Sequence, residues 1–351
     1  MIIAVCLQKL PEKLTHSSKE FIFQTLQEIT KQHPDNQFLF LSDNSPDTGF
    51  ISSSNIDWII INKASDNRLK NYWKQWKIPL ILKKTKADVV VSFDDNCSVS
   101  AATPHCLIIL KDEKLNSNYL RKAKSIAVLS EKVKISITCQ FQLPDKKVDV
   151  CYAFAGENYE PLSTGEKEKI KKTVCDSKEF FLFTGVMKNR ENFINILKAF
   201  SWFKKRQQSN MQLLIHSTPP GLYKKDFEMY KYRHDVKILD RQTDMEKITA
   251  SAYAVIHPYT NEDSMIKGLQ AMQCGVPLIV FEDSVIKEVA DECALYAGSG
   301  NFKELSEKMM RIYTDENLHS QLSEKGKAIA GNFTTQRTAD LLWESINKAL
   351  K

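Results

Sequence analysis

Long apolar runs are missing from this sequence of 351 residues. A helix that crosses a bilayer needs roughly 18 or more predominantly apolar residues in succession, and no stretch approaches that length. The N-terminal segment MIIAVC is short, has no basic residues before it and is followed by Gln8 and Lys9, unlike the apolar core of a signal peptide. The sequence therefore predicts a cytoplasmic protein whose first apolar segment is a buried strand.

Paired cysteines are also missing, since none of the eight cysteines forms a CxxC motif. They stand singly, several of them within or beside apolar runs. This usage is typical of a reducing compartment, where a free thiol packs like a small apolar group. Disulfides and cysteine-bound metals are not expected. The net charge of +6 is modest and does not by itself indicate nucleic acid as a partner, although it is compatible with small anionic ligands.

What the chain does contain is a regular alternation of strand-like and helix-like segments over most of its length. Such an alternation predicts parallel strands joined by crossover helices. Between Ala155 and Cys175 the alternation is interrupted by glycine, proline and a dense run of charges, which indicates a domain boundary near Glu160. We therefore expect an α/β protein made of two tandem Rossmann-like domains, each with a doubly wound parallel sheet, and a cleft between them.

The expected domains are residues 1–160 and residues 161–335, followed by a C-terminal helix at residues 336–351. That helix has an apolar stripe at helical spacing. Its members are Ala339, Leu342, Trp343, Ile346 and Leu350. The stripe is compatible with packing back on the N-terminal domain and equally with an ordinary surface helix of the second domain.

One candidate anion site is the segment FLFTGVMKNRENF in the second domain. A strand ends there at Gly185 and a helix begins near Asn192, with Lys188 and Arg190 between them. Glycine permits a tight turn, the start of a helix offers free N–H groups, and the two cations add positive charge. These features are suited to holding a diphosphate. An ordinary turn with solvated cations is the alternative.

A second candidate is the segment AYAVIHPYTNEDSMIKGLQAMQCGVP. Glu262 lies in its turn, and Gln270 follows eight residues later, about two helical turns along the same face. Both side chains can bind the hydroxyl groups of a sugar or a ribose. In the alternative, Glu262 only places negative charge at the start of the helix, where the helix dipole favours it, and Gln270 is solvated. Arg241, after the strand-like VKILD, could flank a nucleotide base or simply face solvent.

The segment RLKNYWKQWKIPLILKKTK, at residues 68–86, is basic and aromatic and contains no acid. Such a segment can dock on anionic lipid headgroups, as a peripheral contact at the inner face of a membrane. The alternative is an amphipathic crossover helix in which Trp73 and Trp76 face the sheet and the lysines are solvated. No recognition motif accompanies the charge, so nucleic acid is not expected as a partner.

Together, the two loops resemble a known family, the GT-B glycosyltransferases of the family-4 type, or glycosyl transferases group 1. FLFTGVMKNRENFINILKAF resembles the start of their nucleotide-binding domain. AVIHPYTNEDSMIKGLQAMQCGVPLIVFEDSVIKEVADECALY resembles their E-x7-E region and the segment after it. The resemblance covers residues 179–331. It implies a retaining transferase of polysaccharide biosynthesis that moves a sugar from a nucleotide diphosphate-sugar to a glycan or a lipid-linked acceptor.

The resemblance also implies roles for single residues. Glu262 would be the catalytic residue beside the donor sugar, the N-terminal domain would lie on the acceptor side, and no metal ion would be required, since no DxD-like pair ends a strand of the second domain. Donor-binding roles would fall to Gly185, Lys188, Arg190, Asn192, Arg241, Asp263, Ser264, Met265 and Gln270. Within that set, Gln270 would hold the ribose, and the loop from Gly185 to Asn192 the diphosphate.

Several positions depart from the family pattern. The second acid of the motif is Gln270, and its glycine-rich turn is replaced by Asp263-Ser264-Met265, whose side chains are expected to crowd the donor. Val186 and Glu191 stand where the family has basic residues. In the first domain the glycine-rich loop is replaced by LPEKLTHSS and a His-Asp pair by Lys111-Asp112. A catalytically impaired relative that binds a nucleotide sugar or glycan, or supports a partner, therefore remains the alternative reading.

Overall fold

The computed structural model of the protein describes residues 1–7, 16–42, 53–61, 76–93, 102–110, 115–186, 190–218, 223–239, 244–258 and 263–351. They form two compact units, one made of residues 1–153 with 334–351 and the other of residues 154–333. The boundary expected near Glu160 thus falls inside the second unit. No helix in these ranges is long and apolar enough to cross a membrane.

The first unit is built on a parallel sheet with seven strands in the described ranges. They are β1 (Ile2–Cys6), β2 (Gln37–Ser42), β3 (Ile56–Ile60), β4 (Val89–Phe93), β5 (His105–Ile109), β6 (Ser125–Val128) and β7 (Val148–Val150). Their order is β3-β2-β1-β4-β5-β6-β7. Every residue of β4 and β5 is buried, as continuous apolar strands of a sheet covered on both faces should be. The chain winds outward from β1 in both directions, so the expected doubly wound sheet is confirmed.

Helices of the first unit connect these strands. They are α1 (His16–Gln32), α2 (Ile78–Thr85), α3 (Ser117–Lys122) and α4 (Glu131–Phe141). Asparagine or serine is the N-cap residue of α3 and α4, because its side chain accepts a hydrogen bond from a free N–H group of the first turn. Asn116 accepts from the N–H of Asn118, and Ser130 from that of Val133.

The second unit repeats the architecture with six strands in its described ranges. They are β8 (Phe180–Val186), β9 (Gln212–Thr218), β10 (Val236–Ile238), β11 (Ala254–His257), β12 (Leu278–Phe281) and β13 (Ala294–Ala297). Their order is β10-β9-β8-β11-β12-β13, and all neighbours are parallel. Among these strands, β13, with the residues ALYA, is the one that the alternation in the sequence did not predict. This second doubly wound sheet completes the predicted fold.

Helices of the second unit follow its strands closely. They are α5 (Thr164–Cys175), α6 (Arg190–Gln207), α7 (Lys224–Glu228), α8 (Met245–Ser251), α9 (Asp263–Gln273), α10 (Lys287–Ala290), α11 (Phe302–Thr314) and α12 (Glu316–Ala330). Phe181, Phe193, Phe200 and Phe203 anchor the core between α6 and the sheet, together with Ile312 from α11.

The last helix, α13 (Thr335–Ala349), belongs to the first unit. It packs against α1 and the strands β4 to β7. Leu342 and Ile346 are buried in that contact, and the hydroxyl of Ser125 donates to the carbonyl oxygen of Ser345 (2.7 Å). The apolar stripe of this helix therefore completes the core of the unit from which it is farthest in sequence.

The structure corrects one reading of the basic segment at residues 68–86. Trp76, assigned in the alternative to a face against the sheet, is 62% exposed. Ile78 and Leu82 of α2 are the residues that face the core. Trp73 lies outside the described residues.

Candidate functional site

The centre of the second sheet is a topological switch point. Strand β8 lies between β9 and β11, so the chain leaves β8 toward one side and returns at β11 on the other. In open α/β sheets, ligands bind outside the carboxyl ends of the strands at such a point. The two segments that the sequence analysis singled out, after β8 and after β11, leave the sheet at this place.

A buried histidine joins the ends of these two strands. The Nδ1–H of His257, at the end of β11, donates to the carbonyl oxygen of Thr184 on β8 (2.8 Å). The Thr184 hydroxyl oxygen lies 3.0 Å from the same nitrogen. Since a carbonyl oxygen can only accept, the proton of the neutral ring is on Nδ1. His257 therefore fixes the spacing of the two strand ends from which the loops depart.

Gly185 follows Thr184 and has a φ of 143°, a conformation that residues with a side chain rarely adopt. The strand pairing nevertheless continues through it, because Gly185 is opposite Ser217 and Val186 opposite Thr218. Glycine at this position thus gives the carboxyl end of β8 a backbone conformation that other residues rarely adopt, five residues before α6 begins. The residues between them, which include Lys188, lie outside the described ranges.

Helix α6 begins at Arg190, two residues earlier than the sequence predicted. The Arg190 guanidinium donates two hydrogen bonds to the carboxylate of Asp226, at 2.8 and 2.5 Å. This contact lowers the pKa of Asp226 and raises that of Arg190. Glu191 and Asn192 follow in the first turn, Glu191 exposed and Asn192 half-buried. The cation expected at a diphosphate is therefore already paired with an acid of α7.

The segment Asp263-Ser264-Met265 begins α9, and two of its side chains are directed inward. Ser264 and Met265 are fully buried. The hydroxyl of Ser264 is hydrogen-bonded to that of Ser284 at 3.0 Å. These side chains occupy the interior of the unit rather than a surface where a donor could bind, so the expected crowding does not arise from them. Their backbone forms part of the first turn of α9.

Gln270 is also buried, with an exposed fraction of 2%. Its Nε2 donates to the carbonyl oxygen of Ala155 (3.1 Å), and its Oε1 accepts from Lys267 Nζ (3.0 Å). Three residues later, Gln273 donates to the carbonyl oxygen of Gly156 over a longer 3.4 Å. One face of α9 therefore holds the polypeptide that enters the second unit. The alternative in which Gln270 is a solvated position is wrong.

Other predicted residues lie outside the described ranges. Glu262, Lys188 and Arg241 are among them, as is the Lys111-Asp112 pair of the first domain. Asp263 is the first residue of α9, and only its backbone is described. The structure therefore brings together Gly185, Arg190 and Asn192 on one side of the switch point, with the start of α9 on the other.

Sequence reasoning missed the partners of these residues. Asp226 and Ala155 are distant in sequence from Arg190 and Gln270 and are recognisable only once the fold brings them to the site. Lys267 lies three residues before Gln270 on the same helix. Thr184 and His257 carried a weak signal, since both precede a predicted turn. Cys274, just after α9, is a buried thiol whose pKa burial raises to about 12, so it is not a nucleophile at neutral pH.

Solved structures with the same fold cover nearly the whole chain. A glycosyltransferase of Rickettsia africae ESF-5 is 14% identical, covers 100% of this chain and 98% of its own, and has a TM-score of 0.78. WaaG, a glycosyltransferase involved in lipopolysaccharide biosynthesis, is 13% identical, with 99% of each chain covered and a TM-score of 0.72. Anabaena HepE, solved with UDP-glucose, is 15% identical, with 99% of each chain covered and a TM-score of 0.75.

The two doubly wound units thus have the GT-B fold. Residues 165–329, which lie in the second unit, match the family model described as glycosyl transferases group 1. No curated protein matches the sequence.

Proposed function

We propose that the protein is a retaining glycosyltransferase that takes a sugar, of the hexose class, from a nucleotide diphosphate-sugar. The observation that carries the proposal is the family match over residues 165–329, because this range contains the switch point between β8 and β11 and both loops that leave it. Anabaena HepE, of the same fold, was solved with UDP-glucose, which supports a nucleotide-sugar donor here.

The chemistry requires stabilisation of a diphosphate as it leaves. In the proposal, the turn at Gly185 and the first N–H groups of α6 face the diphosphate, and Lys188 adds positive charge. Asn192 supplies a further donor, while Arg190 shares its charge with Asp226. Such contacts raise the rate to the extent that they strengthen as negative charge develops on the leaving group.

The loop after β11 would hold the sugar and the nucleoside of the donor. We assign Glu262 to the donor sugar as the catalytic carboxylate, with the backbone of Asp263, Ser264 and Met265 beside it. For a ribose hydroxyl, Gln270 offers the second lone pair of Oε1, since Lys267 donates to the first and Nε2 is engaged by Ala155. Arg241 would flank the base.

The acceptor in this proposal is a glycan or a lipid-linked glycan on the side of the first unit, as in the synthesis of a surface polysaccharide at the inner face of a membrane. WaaG is involved in lipopolysaccharide biosynthesis, which supports that class of acceptor. No metal is assigned, because the sequence has no DxD-like pair at a strand end of the second unit. Chelation with EDTA should therefore leave transfer unchanged, and loss of transfer that added Mg²⁺ or Mn²⁺ restores would contradict this point.

The donor is tested by thermal shift with a panel of UDP-, GDP- and ADP-sugars and the free diphosphates. At least one should raise the melting temperature, because a ligand that binds only the folded state stabilises it. Slow hydrolysis of that donor should be lost in Glu262→Gln and kept in Glu324→Gln, a matched change at an exposed carboxylate of α12. No stabilisation by any member of the panel would refute donor binding.

A second candidate is a catalytically impaired relative that binds a nucleotide sugar or glycan, or supports a partner. The contact between Arg190 and Asp226 favours it, because it offsets a cation that the diphosphate would need. Binding of a donor without detectable hydrolysis or transfer would establish this candidate in place of the first. Asp226→Asn should then strengthen diphosphate binding by releasing Arg190.

A further inference from the structure

One surface of the first unit combines exposed apolar and basic side chains. Trp76, in the helical turn before α2, and Leu80, one turn later, are 62% and 63% exposed. Lys83 and Lys84 follow on the next turn and are also exposed. We name these four residues the tryptophan–lysine face. Large exposed apolar side chains stand singly elsewhere in the described part of the chain, whereas here two lie four residues apart on one helical face.

The direction of this face is fixed by the opposite side of α2. Ile78 and Leu82 are buried in the cluster that also contains Val90 and Leu41 from the sheet. Since Ile78 and Leu82 anchor the helix in the core, Trp76 and Leu80 cannot turn inward without exposing them. Burying an apolar side chain of this size is worth roughly 1.5–3 kcal/mol. The outward position of Trp76 and Leu80 is thus imposed by the fold.

The stretch of sequence that contains the tryptophan–lysine face carries charge of one sign. Residues 67–87 include seven lysines and arginines and no acid. A solvated crossover helix would gain from acids paired with its lysines, and none is present within this stretch. A tryptophan beside a leucine and exposed lysines is the composition of a surface that enters the headgroup layer of an anionic membrane, where the indole ring lies at the boundary and the lysines contact lipid phosphates.

We propose that the tryptophan–lysine face docks the protein on the anionic surface of a lipid bilayer, with Trp76 and Leu80 inserted at headgroup depth. This contact is peripheral and does not depend on donor binding in the second unit. An acidic protein surface would satisfy the lysines, but it would not require a neighbouring tryptophan and leucine to be exposed.

The test is co-sedimentation of the full chain with vesicles of phosphatidylcholine alone or of phosphatidylcholine with phosphatidylglycerol. The wild type should bind only the anionic vesicles, and less at high salt. Trp76→Ala/Leu80→Ala and Lys83→Glu/Lys84→Glu should each weaken binding by about tenfold or more. Trp76→Phe should retain most of the binding while reducing the quenching of tryptophan emission by brominated lipid chains.

Matched controls are available in the same chain. Ile135→Ala removes an exposed apolar side chain of α4, and Lys169→Glu/Lys172→Glu makes the same charge change on α5. Both should bind vesicles as the wild type does, and all variants should keep the wild-type response to the donor panel. Absence of binding to anionic vesicles, or an equal loss in the control variants, would overturn the proposal; capture of an acidic protein in place of vesicles would assign the face to that class of partner.

Discussion

At the scale of single residues, the side-chain amide of Gln270 both donates and accepts a buried hydrogen bond. A carboxylate at this position could still accept from Lys267, but it would bring a second acceptor against the carbonyl oxygen of Ala155, 3.1 Å away. An unsatisfied buried polar group costs about 1–3 kcal/mol. The neutral amide of Gln270 is therefore suited to this position.

From this contact we expect Gln270→Glu to lower the free energy of unfolding by about 1–3 kcal/mol, measured by urea denaturation. Gln273→Glu is the matched control, because Gln273 is half-buried and its bond to Gly156 is longer. Its cost should be well below that of Gln270→Glu. Equal stability of Gln270→Glu and the wild type would show that the bond to Ala155 contributes nothing.

His105 gives the first unit a pH dependence. It is buried on β5 with its Nε2 2.6 Å from the Ser92 hydroxyl, and burial lowers its pKa from 6.5 to about 4. Between these values the unfolded chain binds the proton and the folded chain does not. Stability is therefore complete above about pH 6.5 and falls as the pH drops toward 4, by on the order of 3 kcal/mol.

This sign is checked by comparing the wild type with His105→Gln in denaturant titrations at several pH values. Other groups titrate in both proteins, so the informative quantity is the difference between them. As the pH falls, the unfolding free energy of the wild type should decrease relative to that of the variant. The same substitution at exposed His234 is the matched control, and parallel profiles for wild type and His105→Gln would contradict the prediction.

At the scale of elements, helix α9 is held against the segment after β12 by a glycine. A Cβ built on Gly268 would lie 2.4 Å from Cγ1 and 2.9 Å from Cδ1 of Ile286, which is fully buried. Alanine normally stabilises a helix relative to glycine. Here the overlap prevails, since crowding a packed core costs typically about 1–3 kcal/mol, and α9 would have to move away from its neighbour.

We therefore expect Gly268→Ala to destabilise the second unit, measured by its chemical denaturation midpoint. Ile286→Ala alone is destabilising because it leaves a cavity, but in the double variant the two costs should be less than additive, since the new methyl group fills part of that space. Additive costs would show that Gly268 and Ile286 are not in contact.

Elements were predictable to the extent that their local pattern was strong. The strands β1, β4 and β8 lie in apolar runs that are plain in the sequence, whereas β13, with the residues ALYA, is specified by its pairing with β12. At the site, the role of Gly185 was predictable, because glycine is favoured where the backbone adopts a positive φ. The roles of Arg190 and Gln270 were not predictable, because their partners Asp226 and Ala155 are brought near only by the tertiary fold.

At the scale of the whole molecule, the chain returns at its end to the unit in which it began. The helix α13 completes the first unit through buried Leu342 and Ile346, the bond from Ser125 to Ser345, and the ion pair of Lys348 with Asp149 at 2.6 Å. Its apolar stripe indicated a packed helix but could not indicate which unit it covers, since amphipathicity gives a face and not a partner. Helix α1 and the strands β4 to β7 provide that partner.

This arrangement predicts where damage to the last helix is felt. Ile346→Ala should destabilise the first unit by about 2–5 kcal/mol, and hydrogen exchange should accelerate in residues 1–153 and 335–349. Ile312→Ala is the matched control: Ile312 is equally buried, on α11, and its loss should accelerate exchange in residues 164–330 instead. Because each unit has its own core, the two variants should give complementary exchange maps. Acceleration of both units by Ile346→Ala alone would show instead that the units unfold as one cooperative body.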